Sequence, residues 1–216
     1  MPSSEKPAFE KHEPHSHELP PEDYIRRKVK AELRKRMRGL RKTTPADACN
    51  ARSARIVSTL EAHPAIVAAR TVALFWPIEE RHEVDLRPLD ASLRARGVKV
   101  AYPAIDGETG AMTFRVVDAV ASLEEAGFGF REPPKDAPEP AAIDVIVVPA
   151  LAVDPTGHRI GYGAAYYDRT LPRFAPPAIT IVVAYDFQLL VEVPFGAHDV
   201  RCNWIVTDTR TLEATA

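Results

Sequence analysis

"IDVIVVPALAVDPTGHRIGYGAAYYDRTL", residues 143–171, decides how the chain folds. It opens as an apolar run rich in Val and Ile, bounded on both sides by turn residues. That is the pattern of a strand buried on both faces of a sheet. The chain then passes Gly157, Arg159, Gly161 and Gly163 and enters a segment with helical character, from about Ala164 to Pro172. Strand, glycine loop and helix in that order form the repeating unit of α/β sheets, whose ligands sit beyond the carboxyl ends of the strands. Gly161 and Gly163 let backbone N–H groups converge, and a helix start would add a positive dipole end, an arrangement that suits phosphate oxygens. No GK[ST] follows, so this is not a Walker A loop, and the third glycine of a dinucleotide fingerprint is missing. Spacing alone leaves two readings open, a phosphate-binding loop and a tight strand-to-helix turn.

The flanking sequence extends the same alternation. Strands are predicted at 71–76 ("TVALFW"), 98–105, 111–117, 178–186 and 204–208, and helices at 24–42, 46–61, 83–97 and near Gln188. The first helix carries Ile25, Val29, Leu33, Met37 and Leu40 at spacings of three and four. The turn "DGETG" makes 98–117 an antiparallel hairpin, and the Pro-, Glu- and Ala-rich stretch 118–142 reads as a surface excursion. The fold class is therefore α/β: a single domain over residues 23–210 with an open, mostly parallel sheet flanked by helices. Residues 1–22 are polar and rich in Pro, Ser and Glu, the composition of a disordered tail.

Composition narrows the function. Apolar runs are interrupted by Asp144 and Pro149 before reaching membrane-spanning length, and the N-terminus lacks the apolar core of a secretory signal. Cys49 and Cys202 are far apart and form no CxxC, as expected for reduced thiols in a cytoplasmic protein. Residues 26–42, "RRKVKAELRKRMRGLRK", carry ten Lys or Arg and one Glu, a local charge of +9 against −11 for the rest of a chain whose total is −2. Such a segment attracts anions, including nucleic acid, anionic lipid or ligand phosphates, and it is equally the pattern of a solvated helix face. Near the loop, Asp168 could hold Mg²⁺ over a bound phosphate and Arg159 could supply a charge-assisted donor. The loop has no lysine of its own, so the basic helix is the source of further cations.

The run "PALAVDPTGHRIGYGAAYYDRTL" (149–171) resembles, in register and without a gap, the signature of the 5-formyltetrahydrofolate cyclo-ligase family. "RRKVKAELRKRMRGL", "ALFWPIEERHEVDLRPL", "GFGFREP" and "VAYDFQLLVEVPFGAHDVRCNWIVTD" are similar to other parts of the family, over about residues 25–208. The resemblance implies an open three-layer sheet of the kind shared with sugar-phosphate isomerases and CoA transferases. It also implies ATP- and Mg²⁺-dependent closure of 5-formyltetrahydrofolate to 5,10-methenyltetrahydrofolate, with release of ADP and phosphate. In that scheme the formyl oxygen attacks the γ-phosphate, N10 closes on the activated carbon, and phosphate leaves.

Carried over by position, the resemblance assigns Arg159, Ile160, Gly161, Tyr162, Gly163, Ala164, Ala165, Tyr166 and Tyr167 to ATP, with Arg159 and Tyr166 as catalytic residues. Arg26 and Lys30 match the basic pair that reaches ATP, although Lys30 and Arg34 fit the same spacing. Trp76, Glu83, Tyr162 and Tyr166 would contact the folate, with Glu79 and Glu80 as rivals to Glu83. Asp168 and Asp199 would hold Mg²⁺. Ala150 and Ala165 stand where the family has glycines. If Ala165 is helical the methyl helps, and if its φ is positive the methyl is strained. Two other readings are a folate- or nucleotide-binding regulator and a nucleic-acid binder. The last leaves 149–171 unexplained, so no nucleic acid, no membrane and a monomer are expected.

Overall fold

A computed structural model describes residues 21–126 and 130–215. Residues 1–20 of the expected tail lie outside them, as do residues 127–129 of "GFGFREP". In chain order the helices are α1 (Pro21–Thr43), α2 (Ala46–Ala62), α3 (Pro64–Ala68), α4 (Arg87–Ala95) and α5 (Tyr166–Thr170). The strands are β1 (Thr71–Ala73), β2 (Lys99–Ile105), β3 (Met112–Val116), β4 (Glu124–Glu125), β5 (Arg131–Glu132), β6 (Val145–Pro149), β7 (Ala152–Val153), β8 (Arg159–Ile160), β9 (Ile179–Val183), β10 (Trp204–Val206) and β11 (Thr211–Glu213). Among the described residues no helix is long and apolar enough to cross a membrane.

Seven strands form one sheet in the order β11-β10-β9-β6-β1-β2-β3. The five central strands run parallel, and β3 and β11 close the two edges in antiparallel pairing. The expected open α/β sheet with an antiparallel hairpin is therefore what the chain forms. The second antiparallel edge, β11, was not anticipated. From β1 the chain winds one way to β2, and from β6 it winds the other way to β9 and β10. The order thus reverses between β1 and β6, and a crevice at the carboxyl ends of those two strands is where such sheets take ligands.

Alternate residues of each strand feed two cores. Val72, Val100, Val145, Val147 and Ile181 pack with Ile56, Leu60, Leu89 and Leu93 of α2 and α4. Ala73, Ile146, Val148 and Val182 face Met112, Phe114, Leu171 and Cys202 on the other side. Three predicted elements start late or stop early, each for a local reason. β1 ends at Ala73, so residues 74–76 leave the sheet toward the crevice, although Leu74 N–H still donates to Ala101 O at 2.9 Å. The helix predicted from 83 begins at Arg87, behind Leu86, with Pro88 in its first turn and Arg87 N–H donating to Asp85 Oδ1 at 3.0 Å. The helix predicted from Ala164 begins at Tyr166, because Ala165 has φ 54° and ψ 25°, a left-handed conformation that stops helix from extending further back.

α1 is the helix expected at 24–42, begun earlier at Pro21, and it docks by a cationic stripe. Ile25, Val29 and Leu40 are exposed, at 60%, 43% and 40%, and the buried stripe consists of Met37 and Arg41 with half-buried Arg26, Lys30, Leu33 and Arg34. The helix packs its Met37 on the β7–β8 ribbon, with Leu151, Ile160 and Val193 around it, and turns its cations toward the crevice.

Candidate active site

Each part of the loop is fixed by something outside it. Gly157 has φ 84°, and a Cβ there would collide with the Cys202 carbonyl oxygen, so glycine is what lets the loop lie against 200–203. Arg159, 7% exposed on β8, donates from Nη1 to Val200 O at 2.6 Å and from Nη2 to Asp168 Oδ1 at 3.0 Å. Asp168 Oδ1 also accepts from Val200 N–H at 3.1 Å. On the facing side Arg34 Nε donates to Gly161 O at 2.9 Å, and its guanidinium lies against Gly163, whose φ is 113°. Lys30 Nζ donates to Asp199 Oδ2 at 2.6 Å, and the same oxygen accepts from Gly196 N–H at 2.6 Å. Burial alone would raise the Asp199 carboxyl, but Lys30, the Gly196 amide and Arg159 together hold it below its ordinary value.

These contacts enclose a cavity of about 170 Å³, lined by residues 159–168, Arg34, Pro149, Ala150 and Asp199. Eleven of the predicted site residues meet here: Arg159, Ile160, Gly161, Tyr162, Gly163, Ala164, Ala165, Tyr166, Tyr167, Asp168 and Asp199. Tyr166 and Tyr167 also pack on the core of that face, and the Arg159 guanidinium lies 6.0 Å from the Tyr167 ring centre. Burial pushes the Tyr167 hydroxyl well above its ordinary value, with Glu83 adding to the shift, so it stays neutral. The helix behind the loop is only five residues long, so the dipole expected from the sequence is small, and convergent cations carry the positive field instead.

Four predicted residues lie off this cavity wall. Lys30 reaches it through Asp199. Arg26 pairs with Asp23 and lies beside Gly196. Trp76, at the end of β1, lines a second cavity of about 330 Å³ with Glu79, Glu80 and Arg131, and meets Tyr102 edge-on at 6.2 Å. Glu83, with a side chain 6% exposed, lies 3.6 Å from Arg41 Nη2. The rivals Glu79 and Glu80 are exposed, and Glu79 pairs with Arg87.

Three cations were missed. Arg34 stood only as an alternative register. Arg41 donates from Nη2 to the Tyr162 hydroxyl at 3.0 Å, and the Arg81 guanidinium lies 4.7 Å from the Tyr162 ring centre. The available signal was that residues 26, 30, 34 and 41 share one side of a helix with Leu33 and Met37.

The residues fit a magnesium–phosphate ligand better than a metal alone. Among the described residues no group of three or more His, Cys, Asp or Glu side chains could hold a metal ion. Asp168 and Asp199 line one cavity, and all their hydrogen bonds to described residues fall on Asp168 Oδ1 and Asp199 Oδ2, leaving the second oxygen of each available. One or two carboxylates plus substrate phosphates is the usual environment of Mg²⁺.

Comparison with known proteins agrees with this picture. A protein from Mycolicibacterium smegmatis named 5-formyltetrahydrofolate cyclo-ligase is 46% identical over 96 residues, 43% of this chain and half the length of that relative. The Escherichia coli protein of the same name is 29% identical over 156 residues, 70% of this chain and 85% of the relative. The solved structure of Aquifex aeolicus 5,10-methenyltetrahydrofolate synthetase superposes with a TM-score of 0.75 at 29% identity, covering 87% of this chain and 94% of that one. A synthetase from Mycoplasma pneumoniae shares the fold with a TM-score of 0.67 at 22% identity, covering 83% and 98%. The model of the 5-formyltetrahydrofolate cyclo-ligase family matches residues 26–208, from the first cation of α1 past the last parallel strand. With the family model matched over residues 26–208, the chain belongs to the 5-formyltetrahydrofolate cyclo-ligase family.

Proposed function

We propose that this chain is a cytoplasmic ligase that closes 5-formyltetrahydrofolate to 5,10-methenyltetrahydrofolate while ATP is converted to ADP and phosphate. The observation that carries the reading is the cavity at the carboxyl end of β6, walled by the glycine loop and entered by Arg34 and Arg159. Phosphoryl transfer needs alignment and charge neutralisation more than a protein nucleophile, and this wall offers both. Cys49 and Cys202 are buried with thiols raised by that burial, which suits neither to nucleophilic work.

Arg159, anchored at Val200 O, faces the γ-phosphate and neutralises charge as it passes to the formyl oxygen. The backbone of Gly161 to Ala165, braced by Arg34, holds the remaining phosphates. Lys30 acts on Asp199 and not on the nucleotide directly, and Arg26 sits at the outer rim. Trp76, Glu83, Tyr162 and Tyr166 position the folate so that N10 reaches the activated carbon. Asp168 and Asp199 would hold Mg²⁺, which when bound supplies charge neutralisation at the phosphates. Ala165 takes the left-handed backbone, φ 54°, so its methyl is strained where the family has glycine. The test follows methenyl product by absorbance with Mg-ATP and 5-formyltetrahydrofolate. Turnover is expected, with Asp168→Ala lower in kcat by about 10²-fold or more. A protein that binds either ligand and forms no product overturns the reading.

A further inference from the structure

Arg41 has no part in the activity as described so far, yet it is among the most enclosed cations of the molecule. It is 4% exposed, on the last turn of α1. Its Nε and Nη2 both donate to Arg81 O, at 2.8 and 2.6 Å. Nη2 also reaches the Tyr162 hydroxyl at 3.0 Å and lies 3.6 Å from Glu83 Oε1. The Arg41 carbonyl accepts from His82 Nδ1 at 2.9 Å. One residue thus holds both sides of a turn whose central residue, His82, has φ 47° and ψ 47°. A non-glycine residue in that region is strained and persists only where its surroundings over-determine it. Arg41 supplies that over-determination at residues 81, 82 and 83.

The turn leads directly into Glu83, whose carboxylate accepts from Ile78 N–H at 3.0 Å and whose charge is felt at the Tyr162 hydroxyl. Tyr162 belongs to the glycine loop and Glu83 to the segment leaving β1, so Arg41 ties together the two strand ends that flank the crevice. The Tyr162 hydroxyl is pushed up to about 12 by burial first and Glu83 second, which keeps it a neutral partner for both charged groups.

We propose that Arg41 is a positioning residue that fixes Glu83 and the Tyr162 hydroxyl in one arrangement, and so sets folate affinity without contacting ATP. The proposal rests on the folate reading of Glu83 and Tyr162 given above. It separates Arg41 from Arg34 and Lys30, which act on the loop backbone and on Asp199.

The experiment measures kcat and KM for each substrate in wild type, Arg41→Met, Tyr162→Phe and the double variant, with thermal unfolding of each. Arg41→Met is expected to raise the folate KM about tenfold or more, within the range that displaced positioning groups produce, with the ATP KM changed less than about twofold. Tyr162→Phe should have little further effect in the Arg41→Met background, because both act on one arrangement. Additive effects, or equal increases in both KM values, overturn the proposal. So does a lower unfolding temperature with both KM values unchanged, since that marks a structural role only. Should Arg41→Met leave Glu83 as an uncompensated buried charge and fail to fold, Arg41→Lys keeps a cation beside Glu83 while removing the guanidinium fork on Arg81 O and the Tyr162 hydroxyl. That variant must show the same selective rise in folate KM. A wild-type protein that forms no methenyl product defeats the functional reading itself. Wild-type turnover with an unaltered folate KM in the Arg41 variants defeats only the role of Arg41.

Discussion

The two sides of the crevice are built in different ways. On the β6 side, the glycine loop is held at Val200, Cys202 and Gly161 by hydrogen bonds to backbone, and its cations already have partners. On the β1 side, Trp76 is half-buried and held by aromatic and guanidinium contacts with Tyr102 and Arg131, the latter from a ribbon of two-residue strands. Under the proposed function the phosphates would meet the fixed wall, which can be preorganised for them. The folate would enter on the other side and leave closed into a new ring. Around Trp76, where side-chain packing holds it, the wall adapts to that at low cost, while the turn at 81–83 stays braced by bonds to backbone.

The sharpest way to break this contrast is Arg159→Met, which removes the anchor of the rigid wall and the partner of Asp168. It is expected to lower kcat/KM by about 10²–10³-fold, the effect of losing one preorganised donor, in steady-state assays at saturating Mg²⁺. A loss under tenfold would mean that the loop is positioned without it. Trp76→Ala tests the softer wall. The folate KM should rise about tenfold, as loss of roughly 1.4 kcal/mol of aromatic contact predicts, with the ATP KM nearly unchanged. If both KM values rise together, the two walls are one unit. The smallest effect concerns Ala165. Glycine there relieves about 1–2 kcal/mol of left-handed strain and restores about 0.5–1 kcal/mol of unfolded-chain entropy. Ala165→Gly is thus expected to stabilise the protein by no more than about 1.5 kcal/mol, a rise of at most about 3–6 °C in Tm by calorimetry. A fall in Tm would show that the methyl packs usefully.

The sheet was legible in the sequence because its strands are continuous Val and Ile runs and its glycines fall at turns. The elements that escaped notice are short, namely α3, the β4–β5 ribbon and β11. Their residues carry too little periodicity to separate from loop, and tertiary pairing makes them. Within the site, the gap-free run 149–171 placed the loop residues. It left open the backbone of Ala165, because alanine is compatible with either conformation and the surroundings choose. The helix of α1 was legible, but its docking face was not. Periodicity alone would pick the apolar residues, whereas this helix docks against a polar crevice, so its inward face is cationic and Ile25, Val29 and Leu40 are left in water.

That docking makes α1 a ruler. At about 100° per residue, the eleven positions from Lys30 to Arg41 complete three turns with only about 20° left over, so the two side chains leave the helix in nearly the same direction. One reaches Asp199 beside the glycine loop, and the other reaches the turn that leads into Glu83. Substitution among the six outward cations at 27, 28, 35, 36, 38 and 42 leaves that alignment untouched. Adding or deleting one residue between positions 34 and 41 would swing Arg41 by about 100° and uncouple the two sides, with the composition of the helix almost unchanged. Along this segment, the count of residues is more tightly constrained than their identity.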